Sequence, residues 1–255
     1  MKIHQAKAVI TGGASGLGLA TGAFLVANGA SVALLDVQEE AGNAAAAQLG
    51  ERAHFQHCDV TSATSVREAM AAAAARLGSV NLLVNCAGVV TPGRALGKSG
   101  PLPAEVYSRV ITINLIGTFL CDQAAAAAMQ GNTPDEDGQR GVIIQTASIA
   151  AYDGQIGQAA YASSKAGVVG LTLPLAREFA ATGIRVVTIA PGMFYTPMIA
   201  GMPADVQESL GKQIPFPPRL GKPEEYAMLV QSIFENTMLN GETIRLDGAA
   251  RLQAR

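Results

Sequence analysis

The chain has 255 residues, of which 49% are hydrophobic and 15% are charged, and its formal net charge is -2. This length and composition predict one globular domain, residues 1–255, with enough apolar side chains for a large core. The near-neutral charge, with no acidic or basic tail, argues against nucleic-acid binding through a basic surface.

Short β-branched runs alternate along the whole chain with Ala-rich segments of helical periodicity. The seven predicted strands are 7–11, 31–36, 54–60, 81–88, 141–148, 184–192 and 242–248. The six predicted helices are 17–28, 39–49, 63–77, 104–130, 159–181 and 223–236. The strands lack polar and apolar alternation, as expected of parallel strands covered on both faces. We therefore predict an α/β fold with a doubly wound, seven-stranded parallel sheet, in which ligands bind at the carboxyl ends of the strands.

Three irregular segments interrupt this alternation. Residues 89–103 and 191–223 are rich in Gly and Pro and follow the fourth and sixth strands. They leave the carboxyl edge of the predicted sheet, so we expect them to contact a substrate. The acidic segment 131–140 leaves the opposite edge and is interpreted as a solvated turn.

The remaining composition argues against several other classes of protein. Cys58, Cys86 and Cys121 lie in or beside apolar segments without paired spacing, which predicts buried, reduced thiols. The three histidines form no zinc-binding pattern, so no metal is predicted. No apolar run reaches the roughly 18 residues of a membrane span, and the first strand begins too early for a signal peptide. These observations favour a cytoplasmic protein with no membrane partner.

A Gly-rich turn between the first strand and the first helix predicts a phosphate site. Gly12, Gly16 and Gly18 permit a tight turn, and the helix N-terminus presents unpaired N–H groups to a pyrophosphate. Such turns can also be purely structural. Asp36 ends the second strand, where a carboxylate accepts hydrogen bonds from ribose hydroxyls and repels a 2′-phosphate. This pattern favours NAD over NADP, although an Asp here also serves as a helix cap.

Two later strand ends fit the same cofactor site. Asp59 and Val60 are expected beside the adenine, and a turn of small residues is expected under the nicotinamide. That turn consists of Asn85, Cys86, Ala87 and Gly88. Each of these strand ends is also compatible with an ordinary cap or tight turn.

The segment SIAAYDGQIGQAAYASSK carries the candidate chemistry. Tyr161 and Lys165 are four residues apart near the start of the fifth predicted helix, so they share one face, and Ser148 ends the strand before it. A free phenol has a pKa of about 10, which a neighbouring ammonium lowers. We expect Tyr161 to be the acid or base, Lys165 to lower its pKa and bind the nicotinamide ribose, and Ser148 to bind the reacting oxygen. Gln155 and Gln158 either bind the substrate with Ser148 and Tyr161 or are ordinary polar loop residues.

Taken together, the motifs TGGASGLG, NCAG, ITINLIG with Asn114, Ser148, YASSK and Pro191–Gly192 resemble the short-chain dehydrogenase/reductase family over essentially the whole chain. The resemblance implies one Rossmann-type domain, usually assembled as a homotetramer. It also implies that Asn114 is a fourth catalytic residue, which orders a water beside Lys165.

Further motifs, among them GQAAY, TIAPG and IRLDGA, resemble a branch of that family that acts on 3-hydroxyacyl-CoA and hydroxysteroids. That resemblance, with the PG motif, implies cofactor contacts from Ser15, Leu17, Asp36, Asp59, Val60, Cys86, Tyr161, Lys165, Pro191, Gly192, Phe194 and Thr196. The chain departs from the branch at Tyr195 and in residues 91–103, both on the substrate side.

The expected reaction is NAD-dependent interconversion of 3-hydroxyacyl-CoA and 3-ketoacyl-CoA, as in the breakdown of fatty acids or branched-chain amino acids. The alternatives are a dehydrogenase of hydroxysteroids or other secondary alcohols, a 3-oxoacyl-acyl-carrier-protein reductase, and a non-catalytic NAD sensor. For the substrate, Met193, Phe194, Met198 and Met202 line either an acyl pocket or the core of a lid. Four cations in the irregular segments either contact the phosphates of coenzyme A or are scattered on the surface: Arg94, Lys98, Lys212 and Arg219.

Overall fold

The predicted parallel sheet is confirmed by a computed structural model of the protein, which describes residues 1–98, 100–201 and 203–254. In chain order the strands are β1 (Lys7–Thr11), β2 (Ser31–Asp36), β3 (Ala53–His57), β4 (Leu82–Asn85), β5 (Leu96–Gly97), β6 (Gly100–Pro101), β7 (Gly141–Thr146), β8 (Ile184–Pro191) and β9 (Thr243–Leu246). The main sheet has the order β3-β2-β1-β4-β7-β8-β9, and β5 and β6 form a separate antiparallel hairpin.

Helices cover both faces of the main sheet. They are α1 (Gly16–Ala27), α2 (Glu39–Leu49), α3 (Ala63–Leu77), α4 (Ala104–Ile111), α5 (Gly117–Met129), α6 (Ala159–Ala180), α7 (Pro197–Ala200), α8 (Ala204–Lys212) and α9 (Pro223–Glu235). Successive residues of one strand pack on opposite faces: Ile10 lies in the cluster with α1 and α9, and Val9 lies in the cluster with α3 and α5. This double burial explains the continuous apolarity of the strands.

The order of the strands creates a cleft at one edge of the sheet. β1 pairs with β2 on one side and with β4 on the other, so the chain reverses its direction of winding next to β1. The carboxyl ends of strands diverge at such a point and leave space for a ligand. The ends of β1, β2, β4 and β7 therefore define the region in which the candidate residues should meet.

The structure differs from the sequence prediction mainly in the irregular segments. The predicted helix 104–130 is interrupted by a π-helical turn at Thr112–Ile116, between α4 and α5. The segment 191–223 contains the short helices α7 and α8, and the segment 89–103 contains the hairpin. The acidic segment 131–140, predicted as a solvated turn, also contains an ion pair: the Asp135 carboxylate pairs with the N-terminal ammonium at 3.2 Å.

The helical stretch Ala104–Met129 is the one candidate membrane span that the described residues contain, by its length and composition. In the fold this stretch packs against the sheet rather than standing alone. Val110, Cys121 and Met129 are buried in it, and the polar side chains of Asn114 and Asp122 are fully buried as well.

Candidate active site and cofactor cleft

The Gly-rich turn between β1 and α1 packs closely against the turn that follows β4. Gly12 has a φ of +65°, and a methyl group on it would lie 2.8 Å from the backbone nitrogen of Ala87. A methyl group on Gly18 would overlap the carbonyl of Gly12. Only glycine fits both positions, and the first N–H groups of α1 are directed toward the cleft. This is the arrangement that binds a pyrophosphate.

A cavity of about 970 Å³ lies beside this turn. Most of the residues predicted to hold the cofactor line it: Gly12, Ser15, Gly16, Leu17, Gly18, Asp36, Asp59, Val60, Cys86, Ala87, Gly88 and Thr196. The other six lie outside its lining: Asn85, Tyr161, Lys165, Pro191, Gly192 and Phe194. The cavity thus brings together the ends of β1, β2 and β4 and the start of α7.

Backbone N–H groups orient the Asp36 carboxylate at the end of β2. One oxygen accepts a hydrogen bond from the Ala14 N–H and the other from the Gln38 N–H, both at 3.1 Å. Asp59 is held similarly, since one oxygen accepts from the Thr61 hydroxyl at 2.7 Å and from the Thr61 N–H at 2.9 Å. Those bonds lower the pKa of Asp59. Both carboxylates are therefore fixed at the cavity wall.

Sequence reasoning missed one wall of the cavity. Glu105, Ser108 and Arg109 of α4 line it, together with Thr112 and Ile113 of the π-helical turn. No motif marks these residues, because a helix that borders a cleft has the same pattern as a surface helix. Their position depends on how α4 crosses the end of the sheet.

Ser148 and Tyr161 meet directly beyond β7. The Ser148 hydroxyl is buried and accepts a hydrogen bond from the Ala150 N–H at 3.1 Å, which orients it at the start of the turn. Burial raises the pKa of the Tyr161 phenol, and the hydrogen bond with Ser148 lowers it in part. The expected lowering by Lys165 is not found, because the pKa of the phenol is raised and only burial and Ser148 act on it.

The Lys165 ammonium lies one turn of α6 beyond Tyr161, 5.9 Å from the centroid of its ring. It donates a hydrogen bond to the Thr146 carbonyl at 2.7 Å. Burial lowers the pKa of Lys165 to about 8, so the side chain stays mainly charged at neutral pH. A methyl group on Gly88 would lie 3.5 Å from this nitrogen, which shows that the lysine lies directly against the turn after β4.

The Asn114 side chain connects this turn to α6. Its oxygen accepts a hydrogen bond from the Val89 N–H at 2.8 Å, and its amide donates to the Val89 carbonyl at 2.9 Å and to the Ser164 hydroxyl at 3.0 Å. The π-helical turn that carries Asn114 widens the helix locally, a feature common at functional sites. Asn114 is thus next to Lys165, with its side chain engaged by Val89 and Ser164.

Asn85 belongs to a buried polar network beneath the cleft. Its amide donates to one oxygen of Asp122 at 2.7 Å, and Gln145 donates to the other at 2.6 Å. The Thr188 hydroxyl in turn donates to the Gln145 side-chain oxygen at 2.9 Å. Burial raises the pKa of Asp122 to about 7, and its two amide donors lower it in part. This network joins β4, β7, β8 and α5, and no motif predicted it.

Three further candidates on the cofactor side serve the packing near β8. Phe194 is buried in the core cluster, and its ring lies against Gly221. Pro191 ends β8, and the N–H of Gly192 bonds to the Leu246 carbonyl at 2.9 Å. These residues lie outside the cavity lining, and their contact with the cofactor stays a prediction.

Gln155 and Gln158 lie next to each other between Ser148 and Tyr161. Gln158 donates to the Gln155 side-chain oxygen at 3.0 Å, and Gln155 donates to the Gln253 carbonyl at 3.1 Å. The side-chain oxygen of Gln158 is buried and has no hydrogen-bond partner among the described residues. An unsatisfied acceptor is unfavourable in a folded protein unless a ligand supplies a donor.

The other predicted substrate contacts have mixed positions. Met193 packs beside Ile149 and Ile214, whereas Met202 and the side chain of Met198 lie outside the described residues. Lys212 pairs with Glu208 at 2.7 Å. Arg219 pairs with Glu225 at 2.6 Å, so it is engaged in holding the start of α9.

The three cysteines have free thiols, and none of them forms a disulfide. Cys58 and Cys121 are buried, as the sequence predicts, whereas Cys86 is half-buried at the cavity. Within residues 1–98, 100–201 and 203–254, no group of three or more His, Cys, Asp or Glu side chains is arranged to hold a metal ion.

Comparisons with known proteins agree with this geometry. Residues 6–207 match the family model described as short chain dehydrogenase. The 3-hydroxyacyl-CoA dehydrogenase type-2 of Homo sapiens is 53% identical over 248 residues, which are 96% of this chain and 95% of that protein. The protein of that name in Drosophila melanogaster is 52% identical over 252 residues, 98% of this chain and 99% of its own.

A solved structure extends the similarity to three dimensions. The crystal structure of 3-hydroxyacyl-CoA dehydrogenase type-2 from Mycobacterium avium superposes with a TM-score of 0.94 and is 41% identical in sequence. It covers 98% of this chain, and this chain covers 97% of it. The similarity therefore includes the irregular segments on the substrate side as well as the sheet.

Proposed function

Because the chain belongs to the short-chain dehydrogenase family of nicotinamide-dependent oxidoreductases, we propose that it interconverts 3-hydroxyacyl-CoA and 3-ketoacyl-CoA with NAD. The observation that carries the substrate class is the 53% identity to a dehydrogenase of that name over 96% of the chain. The chemistry rests on the meeting of Ser148, Tyr161 and Lys165 at the end of β7.

The residues of the cleft fit a dinucleotide. Because Gly12 and Gly18 carry no side chain, the turn packs closely against the neighbouring backbone. This packing leaves room for a pyrophosphate against the start of α1. Asp36 presents a fixed carboxylate, which accepts hydrogen bonds from two ribose hydroxyls but repels a 2′-phosphate. This charge supports NAD rather than NADP, since no cation beside Asp36 in the cavity lining offsets it; Arg109 is on the opposite wall, in α4.

Ser148 and Tyr161 act on the substrate oxygen. Ser148 donates a hydrogen bond to that oxygen and holds it beside the Tyr161 phenol. In the reductive direction Tyr161 gives its proton to the oxygen, and in the oxidative direction it removes the hydroxyl proton. The nicotinamide supplies the other half of the chemistry, since it accepts or donates the hydride when bound.

Lys165 and Asn114 support this proton transfer. The Lys165 ammonium, held by the Thr146 carbonyl, places a positive charge near the phenol and favours the phenolate when the proton moves. Asn114 holds Val89 and Ser164 beside it, and this anchors the turn after β4 against α6. We assign to Asn114 this positioning role and the ordering of a water beside Lys165.

Gln158 contacts the acyl part of the substrate. Its buried, unpartnered oxygen lies one turn before Tyr161, and its amide nitrogen is held by Gln155. The substrate hydroxyl gives its only hydrogen to Tyr161, so the missing donor comes from another part of the acyl-CoA, such as an amide N–H of the coenzyme A arm. Two features adjust the preference for the acyl chain: Tyr195, which is half exposed near the start of residues 193–216, and residues 91–103.

Steady-state kinetics with NAD and 3-hydroxybutyryl-CoA, and with NADH and acetoacetyl-CoA, test the proposal. We expect turnover in both directions and a clear preference for NAD over NADP. The matched control is Tyr161→Phe, which keeps the ring and removes the reactive hydroxyl. Turnover of a hydroxysteroid or a free secondary alcohol in place of the acyl-CoA would contradict the substrate class. Cofactor binding without turnover would indicate an NAD sensor.

The assembly and setting of the protein are part of the same proposal. Residues 1–255 act as one NAD-binding domain in a cytoplasmic homotetramer, and the reaction serves fatty acid or branched-chain amino acid breakdown. Light scattering on the purified chain measures the mass of the assembly, and cell fractionation measures its location. A stable monomer with full activity would contradict the tetramer.

A further inference from the structure

The C-terminal segment, residues 247–254, lies between the two irregular segments that border the substrate side. One of these is the turn segment, residues 149–158, which follows Ser148 and ends at Gln158. The other is the lid segment, residues 193–216, which contains α7 and α8. The mechanism proposed above does not use the C-terminal segment, yet it contacts both.

Hydrogen bonds connect the C-terminal segment to the turn segment. The Ile156 N–H donates to the Ala254 carbonyl at 3.0 Å, and the Gln155 side chain donates to the Gln253 carbonyl at 3.1 Å. The Gln155 side-chain oxygen then accepts from Gln158 at 3.0 Å. A continuous chain of hydrogen bonds therefore runs from residues 253–254 to the side chain of Gln158.

A small apolar cluster connects the C-terminal segment to the lid segment. Ile149, Ile214 and Ala250 are buried together, with Leu252 and Met193 packed against them. This cluster is separate from the two large core clusters on the faces of the sheet. Leu252 thus packs against a cluster that contains both the residue after Ser148 and a residue near the end of the lid segment.

The backbone reinforces this connection at Gly248. Gly248 has a φ of +59°, and its carbonyl accepts a hydrogen bond from the Phe216 N–H at 3.2 Å. A methyl group on Gly248 would lie 2.6 Å from Ile214 and 2.7 Å from the Phe216 carbonyl oxygen. The close approach of the two segments therefore requires glycine.

Arg245 fixes the C-terminal segment to the end of β9. It pairs with Asp153 of the turn segment at 2.6 Å and with Asp247 at 2.7 Å, and it donates to the Ala250 carbonyl at 3.1 Å. Its guanidinium also lies 5.1 Å from the centroid of the Tyr152 ring. The whole arrangement is thereby attached to the rigid edge of the sheet.

We propose that the C-terminal segment is a positioning element that sets acyl selectivity, by holding Gln158 beside Tyr161 and coupling the turn segment to the lid segment. The proposal rests on the proposed function, because Gln158 is taken to contact the acyl substrate. The segment does not touch the cofactor cavity, whose lining contains none of residues 245–254. Its loss is therefore expected to affect the substrate and to leave the cofactor unaffected.

Two variants of the full-length protein test this role. Leu252→Ala removes a side chain that packs against the cluster joining the two segments, and a chain ending at Arg251 also removes the hydrogen-bonded carbonyls of Gln253 and Ala254. For each we expect the KM for acyl-CoA to rise, by roughly 10-fold for the shortened chain. The kcat and the Kd for NADH are expected to stay close to those of the parent. Met238→Ala, a change at a side chain that is 88% exposed before β9, is the matched control.

Amide hydrogen exchange separates this inference from the function on which it rests. Both variants are expected to exchange faster in residues 149–158 and 193–216, with no change in residues 12–18, and Leu252→Met is expected to restore the parent rates. Unchanged exchange in both segments would overturn the positioning role, whatever the substrate is. Faster exchange in both variants, combined with a parent enzyme that does not turn over acyl-CoA, would support the positioning role and reject the proposed substrate.

Discussion

The two halves of the cleft are held together by different means. The cofactor half, from the turn after β1 to residues 85–88, consists of strand ends and tight turns fixed by the backbone of the sheet. The substrate half consists of the turn, lid and C-terminal segments, which hold one another through single hydrogen bonds and a small apolar cluster. Substitutions in the cofactor half therefore change binding at a rigid site, whereas those in the substrate half change how loops are positioned.

The largest expected effect is at Tyr161, where the two halves meet. Tyr161→Phe removes the acid or base without changing the ring, and kcat is expected to fall by about 10²- to 10⁴-fold. The Kd for NADH, measured by fluorescence titration, is expected to stay within about 2-fold, because binding rests on the cofactor half. A similar loss of NADH affinity in Tyr161→Phe would contradict the view that the cofactor half binds NADH independently of the substrate half.

The next effect is expected at Asp36, in the cofactor half. Asp36→Asn keeps the size of the side chain but removes the charge that accepts from the ribose and repels a 2′-phosphate. A lost hydrogen bond to a charged group corresponds to about 1.5–3 kcal/mol, so the preference for NAD over NADP is expected to shrink by roughly 10- to 100-fold. Kd values for both cofactors measure this ratio. An unchanged ratio would place the discrimination elsewhere in the cavity.

A third prediction concerns Asp122, in the buried network beneath both halves. Its pKa is raised to about 7 in the folded protein, above its ordinary value of 3.8, so the folded state binds the proton more tightly than the unfolded chain. The resulting stability is fully present below the ordinary pKa and is lost as the pH rises through about 7. Asp122→Asn removes this dependence.

Urea unfolding at pH 5 and pH 8 measures that change. We compare the free energy of unfolding of Asp122→Asn with that of the parent at each pH. The variant's value minus the parent's is expected to increase by about 2–3 kcal/mol from pH 5 to pH 8. Asp205→Asn, at the exposed start of α8, is the matched control for the substitution itself. A difference that does not vary with pH would show that Asp122 titrates as an ordinary surface carboxyl.

The smallest effect is expected at Gln158, in the substrate half. Gln158→Ala removes one neutral hydrogen bond to the substrate, and the KM for acyl-CoA is expected to rise by about 3- to 10-fold. The Kd for NADH should not change, since Gln158 lies outside the cavity lining. An unchanged KM would indicate that Gln155 and Gln158 only order the turn segment.

Particular elements show how far the sequence leads. The strand that ends at Asp36 was predicted at its observed bounds, because a doubly buried parallel strand has a strong local pattern. By contrast, the π-helical turn around Asn114 was predicted as continuous helix, since nothing in its local periodicity marks the wider turn. Phe194 has its ring in the core and outside the cavity lining, and its predicted contact with the cofactor stays a prediction, because an apolar side chain after a strand fits either place.

The sequence by itself determined the parallel sheet, the Gly-rich turn and the spacing of Ser148, Tyr161 and Lys165. These features depend on periodicity and on short distances along the chain. Only the tertiary structure decided that Asp122 lies under the cleft, that α4 forms one wall, and that residues 247–254 join the turn and lid segments. Those contacts link residues that are far apart in sequence, so packing against the sheet creates them and no local pattern records them.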